Sequence, residues 1–126
     1  MKKILIVLAD YYRDISSELL KSAKNNLNNF SIKVVKVPGV FEIPVTISKN
    51  IKKYDAFIAL GCVIKGETPH FDFISAASTQ AIMDLSIHSK KPIGNGIITC
   101  LNKKQARVRA DKGKEAAKAV ASVLSQ

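Results

Sequence analysis

The segment GETPHFD, residues 66–72, ends an apolar run with a glycine, a hydroxyl, a proline, a histidine and two carboxylates. Gly66, Glu67 and Thr68 stand just ahead of a helix expected to begin near Phe71. Backbone N–H groups and a hydroxyl at such a point make an anion cradle at the positive end of the helix dipole. Pro69 fixes the turn, and His70 follows at its rim, a residue type that exchanges protons near neutral pH. Asp72, two residues on, can orient the imidazole or stabilise its charge. The blander alternative is an ordinary turn, because a single loop histidine is usually not catalytic. A nucleophilic pair of Cys62 and His70 is a third reading, weakened because no helix N-terminus stands behind Cys62 to activate the thiol.

Three further segments carry chemistry-bearing residues. Tyr11 and Tyr12 follow an apolar run, where an aromatic face can stack on a planar heterocycle or simply pack on the surface. In VPGVFEIP, Val40, Phe41 and Glu42 place one carboxylate among apolar neighbours. Glu42 is either a first-turn acid favoured by the helix dipole or an acceptor for the hydroxyls of a polyol. Near the end, QARVRADKGK brings Arg107, Arg109 and Lys112 ahead of a last helix, and an arginine fork suits phosphate oxygens. A solvated basic helix is the competing explanation.

The elements that must position these residues follow from hydrophobic periodicity. Ile4 to Ala9 is apolar at every position, as in a strand buried on both faces of a parallel sheet. A helix capped by Asp14 or Ser16 follows, with Leu19, Leu20, Ala23 and Leu27 at helical spacing. Ile32 to Val37 reads as a second strand, and Ile43, Ile47 and Ile51 as a helix with Pro44 in its first turn. Tyr54 to Leu60 reads as a third strand broken by Gly61, then a longer helix with a stripe of Ile74, Ala77, Ala81 and Leu85. Pro92 opens a fourth strand through Cys100, and two helices, Lys103 to Arg109 and Gly113 to Leu124, complete the chain. Alternating strands and helices predict a parallel sheet with helices on both faces, and binding residues at the carboxyl ends of the strands. The segments singled out above all fall at those ends.

Composition bounds the rest. A chain of 126 residues with 47% hydrophobic content is expected to form one domain over residues 1–126. Cys62 and Cys100 lie in apolar runs without a CxxC or paired histidine, so free buried thiols are expected rather than zinc or a disulfide framework. The N-terminal apolar run is too short for a signal peptide, and no run approaches the ~20 residues of a membrane span, so a cytoplasmic protein is expected. A formal charge of +10 suits nucleic acid, anionic lipid or a phosphorylated small substrate. The lysines are dispersed along the chain without interleaved aromatics, which favours solvated faces, so neither a nucleic-acid nor a membrane partner is expected.

Taken together and in order, VPGVFEIP, YDAFIALGCVIKGETPHFD and PIGNGIITC with the basic tail closely resemble the 6,7-dimethyl-8-ribityllumazine synthases of riboflavin biosynthesis. The resemblance spans nearly the whole chain. It implies a flavodoxin-like three-layer αβα sandwich on a four-stranded parallel sheet, assembled into pentamers with active sites shared between neighbouring subunits. It implies a transferase that condenses 5-amino-6-(D-ribitylamino)uracil with 3,4-dihydroxy-2-butanone 4-phosphate, releasing phosphate and water, with no metal or organic cofactor. On that resemblance Tyr11 stacks on the pyrimidine and Tyr12 lies on the ribityl side. Val40, Phe41 and Glu42 bind the ribityl chain, while Cys62, Val63 and Ile64 line the pyrimidine. Glu67 and Thr68 hold phosphate, His70 is the acid/base, and Arg109 and Lys112 are the phosphate-binding cations, with Arg107 the alternative to Arg109. Asn95 stands where many members place an aromatic from the neighbouring subunit; some share the same IGNG. A start close to the first strand favours a pentamer over a sixty-subunit capsid. The alternatives are a non-catalytic flavin- or lumazine-binding module of the same fold and a small nucleic-acid-binding protein.

Overall fold

The computed structural model describes residues 1–126. Four strands form one parallel sheet: β1, Lys3–Ala9; β2, Ser31–Val37; β3, Ala56–Ile64; and β4, Ile93–Cys100. Five helices alternate with or follow them: α1, Arg13–Lys24; α2, Ile43–Lys49; α3, His70–Ser89; α4, Lys103–Val108; and α5, Lys112–Leu124. The strand order is β2-β1-β3-β4. β1 residues from Ile4 to Ala9 are all buried because side chains alternate between two packed faces. Ile4, Ile6 and Leu8 face Ile15 and Leu19 of α1 and Ala117 and Val120 of α5. Leu5, Val7 and Ala9 face Ile43 and Ile47 of α2 and Ile82 of α3. The result is the three-layer flavodoxin-like sandwich, with a separate hydrophobic core on each side of the sheet.

From β1 the chain turns to one side to form β2, and from β3 to the other side to form β4. The connections therefore diverge between β1 and β3, and their carboxyl ends leave a crevice of the kind where α/β sheets bind ligands. Tyr11 and Tyr12 leave β1 at this crevice, and residues 61–64 finish β3 beside it.

Three local expectations are corrected. β3 does not stop at Gly61 but runs on to Ile64, with Gly61 paired to Ile97. The glycine is needed for close approach: a Cβ there would lie 2.8 Å from Val40 Cγ2 and 3.0 Å from Ala9 Cβ. A 3-10 turn, Val40–Glu42, thus presses onto the face of β3 and carries Phe41 and Glu42 to the strand end. α1 has no side-chain cap; Tyr12 occupies the cap position, and buried Ser16 donates its hydroxyl to the Ala9 carbonyl at 2.9 Å. That bond ties the helix back to the end of β1 and fixes the bend at which Tyr11 and Tyr12 sit.

The buried stripe of α3 is also displaced from the expected one. Ser78 and Ile82 are buried, with Phe71, Ile74 and Leu85 packed partly beside them, whereas Ala77 is exposed. The helix is apolar on its outer side as well, where Phe73, Met83 and Ile87 are 67%, 54% and 64% exposed. With apolar residues on two sides of the helix, periodicity has no single face to report.

Candidate active site

The crevice holds a cavity of about 720 Å³ lined by Tyr11, Tyr12, Val40, Phe41, Glu42, Cys62, Val63, Ile64 and His70. Nine sequence-selected residues from four separate segments therefore meet at one place. Pro38, Gly39 and Ile74 complete the lining. Pro38 and Gly39 belong to the VPGVFEIP segment, although neither is among the sequence-selected residues. A Cβ at Gly39 would lie 3.2 Å from Glu42 Oε1.

The cavity wall is mostly apolar, with polar groups at few points. Tyr11 is 73% exposed and meets the half-buried Tyr12 edge to face, ring centroids 4.9 Å apart at 80°. Burial, then the neighbouring Tyr11 and Cys62, hold the Tyr12 phenol above its ordinary pKa, so near neutral pH it is a protonated hydrogen-bond donor. Lys103 Nζ lies 5.7 Å from the centre of the same ring. Glu42 is half-buried and makes no ion pair, which leaves its carboxylate oxygens available as acceptors.

Cys62 is held as the thiol, a poor nucleophile. Burial, with Cys100 close by, pushes its thiol up to about 12. The unfolded thiol ionises near 9, so the stability associated with this group is complete below that pH and lost as pH rises toward 12. We expect iodoacetamide to leave Cys62 unmodified in the native protein at pH 8, as read by mass spectrometry of its peptide. Modification as fast as that of free cysteine would show an accessible thiolate.

The loop from Gly66 to Pro69 leads into α3, whose first residue, His70, lines this cavity. The backbone N–H groups of Gly66, Glu67 and Thr68 donate to no protein atom. Thr68 Oγ1 accepts the His70 N–H at 3.4 Å, leaving the hydroxyl proton free to donate outward. A Cβ on Gly66 would meet nothing within 4 Å, and residues 66–69 are all exposed, so the loop is open to solvent. Unpaired donors before a 20-residue helix give the cradle the chemistry that an anionic oxygen needs.

The remaining selected residues lie elsewhere on the chain. Arg109 and Lys112 line a second cavity of about 360 Å³ beside β4, together with Thr99, Asp111 and Glu115. Arg109 Nη1 donates to the Thr99 carbonyl at 3.2 Å, and Lys112 Nζ lies 3.7 Å from Glu115 Oε2. Arg107 turns the other way and pairs with Asp14 across 3.6 Å, so Arg109 is the arginine that shares a cavity with Lys112. Asn95 is exposed on the edge strand, where its Oδ1 accepts the Ile97 N–H at 3.0 Å. Within one chain, then, the crevice cavity and the arginine are apart. No cluster of three His, Cys, Asp or Glu side chains could hold a metal ion, and no helix is long and apolar enough to cross a membrane.

The family model described as 6,7-dimethyl-8-ribityllumazine synthase matches residues 1–126. A protein of that name from Bartonella bacilliformis is 45% identical over 118 residues, covering 89% of this chain and 78% of its own length. Another of that name from Rhodopseudomonas palustris is 42% identical over 136 residues, covering 97% and 83%. A third, from Cutibacterium acnes, is 38% identical over 133 residues, covering 98% and 80%. With the match running from the first residue to the last, on a flavodoxin-like four-stranded parallel sheet, the chain belongs to the 6,7-dimethyl-8-ribityllumazine synthase family.

Proposed function

We propose that the protein condenses 5-amino-6-(D-ribitylamino)uracil with 3,4-dihydroxy-2-butanone 4-phosphate to give 6,7-dimethyl-8-ribityllumazine, phosphate and water. The observation that carries this reading is the meeting of Tyr11, Glu42, Cys62 to Ile64 and His70 around one cavity, with unpaired N–H donors in the loop just before His70. Tyr11 offers a ring face to the pyrimidine, and Val63 and Ile64 give it an apolar wall. Glu42 accepts hydroxyls of the ribityl chain, with Val40 and Phe41 beside it. Gly66 to Thr68 bind the phosphate before it leaves, and His70 moves protons during imine formation, elimination and ring closure. Mixing the purified protein with both substrates tests this directly: a fluorescent lumazine and one phosphate per turnover are expected. Folded protein that binds lumazine but forms none would instead be the non-catalytic module.

The active unit is a homo-oligomer, a pentamer by resemblance to the family. Phe73, Ala76, Gln80, Met83 and Ile87 repeat at steps of three and four along the outer side of α3, the spacing of a helix seam that packs on another helix. Beside it, Phe41, Val45, Ala77 and Ala81 border an apolar hollow of about 400 Å³. A second copy covering this side would bring its β4 edge, with Asn95, Arg109 and Lys112, to the first copy's cavity. The separation of the two half-sites within one chain supports sharing, because a phosphate dianion otherwise meets no lysine or arginine in the cavity. Co-refolding impaired His70→Ala chains with impaired Arg109→Ala chains should then raise turnover above that of either variant alone, up to about a quarter of wild type, since some mixed interfaces carry neither lesion. No recovery in verified mixed oligomers would place both residues in one chain's site. Soluble substrates and two free buried thiols suit the cytoplasm.

A further inference from the structure

The end of the sheet away from the cavity has a different chemistry. Lys2 and Lys3 stand at the start of β1, Lys52 and Lys53 precede β3, and Lys90 and Lys91 precede β4. α1 and α2 end on Lys24 and Lys49 at the same side. These eight are a large share of the chain's 20 Lys and Arg, whereas the same segments hold one carboxylate, Asp55. That carboxylate is already engaged, its Oδ2 accepting the Lys3 backbone N–H at 2.8 Å. None of the eight ammonium groups is in an ion pair, and all but Lys91 belong to exposed residues. Lys91 donates to the Ile51 carbonyl.

Helix dipoles account for Lys24 and Lys49, which complement carbonyl ends. Lys90, the C-cap of α3, is favoured in the same way, but Lys2 and Lys3 stand at a strand start rather than a helix end, and Lys52 and Lys53 lie beyond the last turn of α2. Because β1, β3 and β4 are adjacent at roughly 4.8 Å spacing, the three pairs form one row about 10 Å across. The row ends at a groove of about 330 Å³ beside Lys90, Lys91 and Ser86. Unpaired like charges so close repel one another, and a polyanion relieves that repulsion by displacing its own counterions.

The groups around the row select among polyanions. Tyr54 packs edge-on against Phe57 and is half-buried, so no exposed ring is offered to a base. The cations are lysines, which act as point charges toward phosphate rather than as forks that read base edges. Of the exposed large apolar side chains only Met1 lies in these segments, too little to insert in a membrane or anchor a protein interface. We propose that this end of the sheet binds the phosphate backbone of nucleic acid without reading its bases, on the side of the protein opposite the catalytic cavity. Spacing along the chain hid the row, since its members come from segments about 40 to 50 residues apart that parallel strands bring together.

Fluorescence anisotropy of the intact protein with a labelled 20-nucleotide mixed-sequence RNA provides the test. Neutralising about five phosphates predicts a log–log salt slope near −3.5, so Kd should rise about 100-fold between 50 and 200 mM KCl. Replacing Lys2, Lys3, Lys52, Lys53 and Lys90 with glutamine should weaken binding at least tenfold at 50 mM and flatten that slope. Lumazine formation and the melting temperature should not change, because these side chains are exposed and remote from the cavity. The proposal fails if RNA does not bind at 50 mM KCl, or if the five-lysine variant binds as wild type. It also fails if Arg109→Gln with Lys112→Gln is the variant that loses RNA, or if only phosphatidylserine vesicles bind.

Discussion

Replacing His70 with alanine is expected to slow lumazine formation roughly 10- to 1,000-fold without abolishing it, the range that one positioned acid or base supplies. The imidazole lines the cavity as the first residue of α3, and its ring makes no hydrogen bond or ion pair with the protein. Removing an exposed, unpartnered side chain costs little fold stability, within about 0.5 kcal/mol, so the melting temperature should hold while turnover falls. Residual activity is expected because aligning the two substrates against Tyr11 and the cradle supplies up to ~7 to 11 kcal/mol of the barrier by itself. The division of the effect is informative. A fall in kcat at constant KM marks proton transfer, whereas a rise in KM alone marks a binding role at the phosphate. Unchanged turnover would remove His70 from the mechanism and leave the cradle to act by orientation only.

Much of this site was legible in the sequence because parallel sheets translate strand ends into one crevice. Once four apolar runs were assigned as strands, Tyr11, Glu42, Cys62 and His70 had to converge although they span about 60 positions. Asn95, Arg109 and Lys112 did not follow the same rule. β4 lies at the sheet's edge, so its carboxyl end opens beside the second cavity rather than the crevice between β1 and β3. Gly61 was misread for a related reason. A glycine in an apolar run looks like a break, yet it is there because Val40 crosses the strand, a long-range contact that no local pattern reports. Ser16 likewise fits a cap by type, but its hydroxyl turns back to the buried Ala9 carbonyl. The outer side of α3 escaped because apolar residues on both sides of the helix leave little contrast between its faces.

Gly113→Ala should destabilise the fold by about 1–3 kcal/mol, although alanine is the better helix former at this position by up to about 1 kcal/mol. Gly113 lies in the first turn of α5 where that helix crosses α1. An added Cβ would fall well inside contact distance of the Leu19 carbonyl oxygen, 2.5 Å from Ser22 Oγ and 3.1 Å from the Ala23 nitrogen. Two of those three neighbours are backbone atoms of a helix and cannot rotate away. Ser22 is also held, donating to Leu19 at 3.0 Å and bridging to the Ala110 carbonyl at 3.3 Å. Relief therefore requires α5 to lift from α1, which opens the core around Leu19, Ala116 and Ala117. For a domain of this size the melting temperature should fall by about 3–15 °C. Gly66→Ala is the matched comparison: its Cβ would meet nothing within 4 Å, so its melting temperature should stay at the wild-type value. A Gly113→Ala protein as stable as wild type would mean that helix propensity outweighs the close α1–α5 contact, and that the arm carrying Arg109 and Lys112 is less tightly fixed to the sandwich than its packing implies.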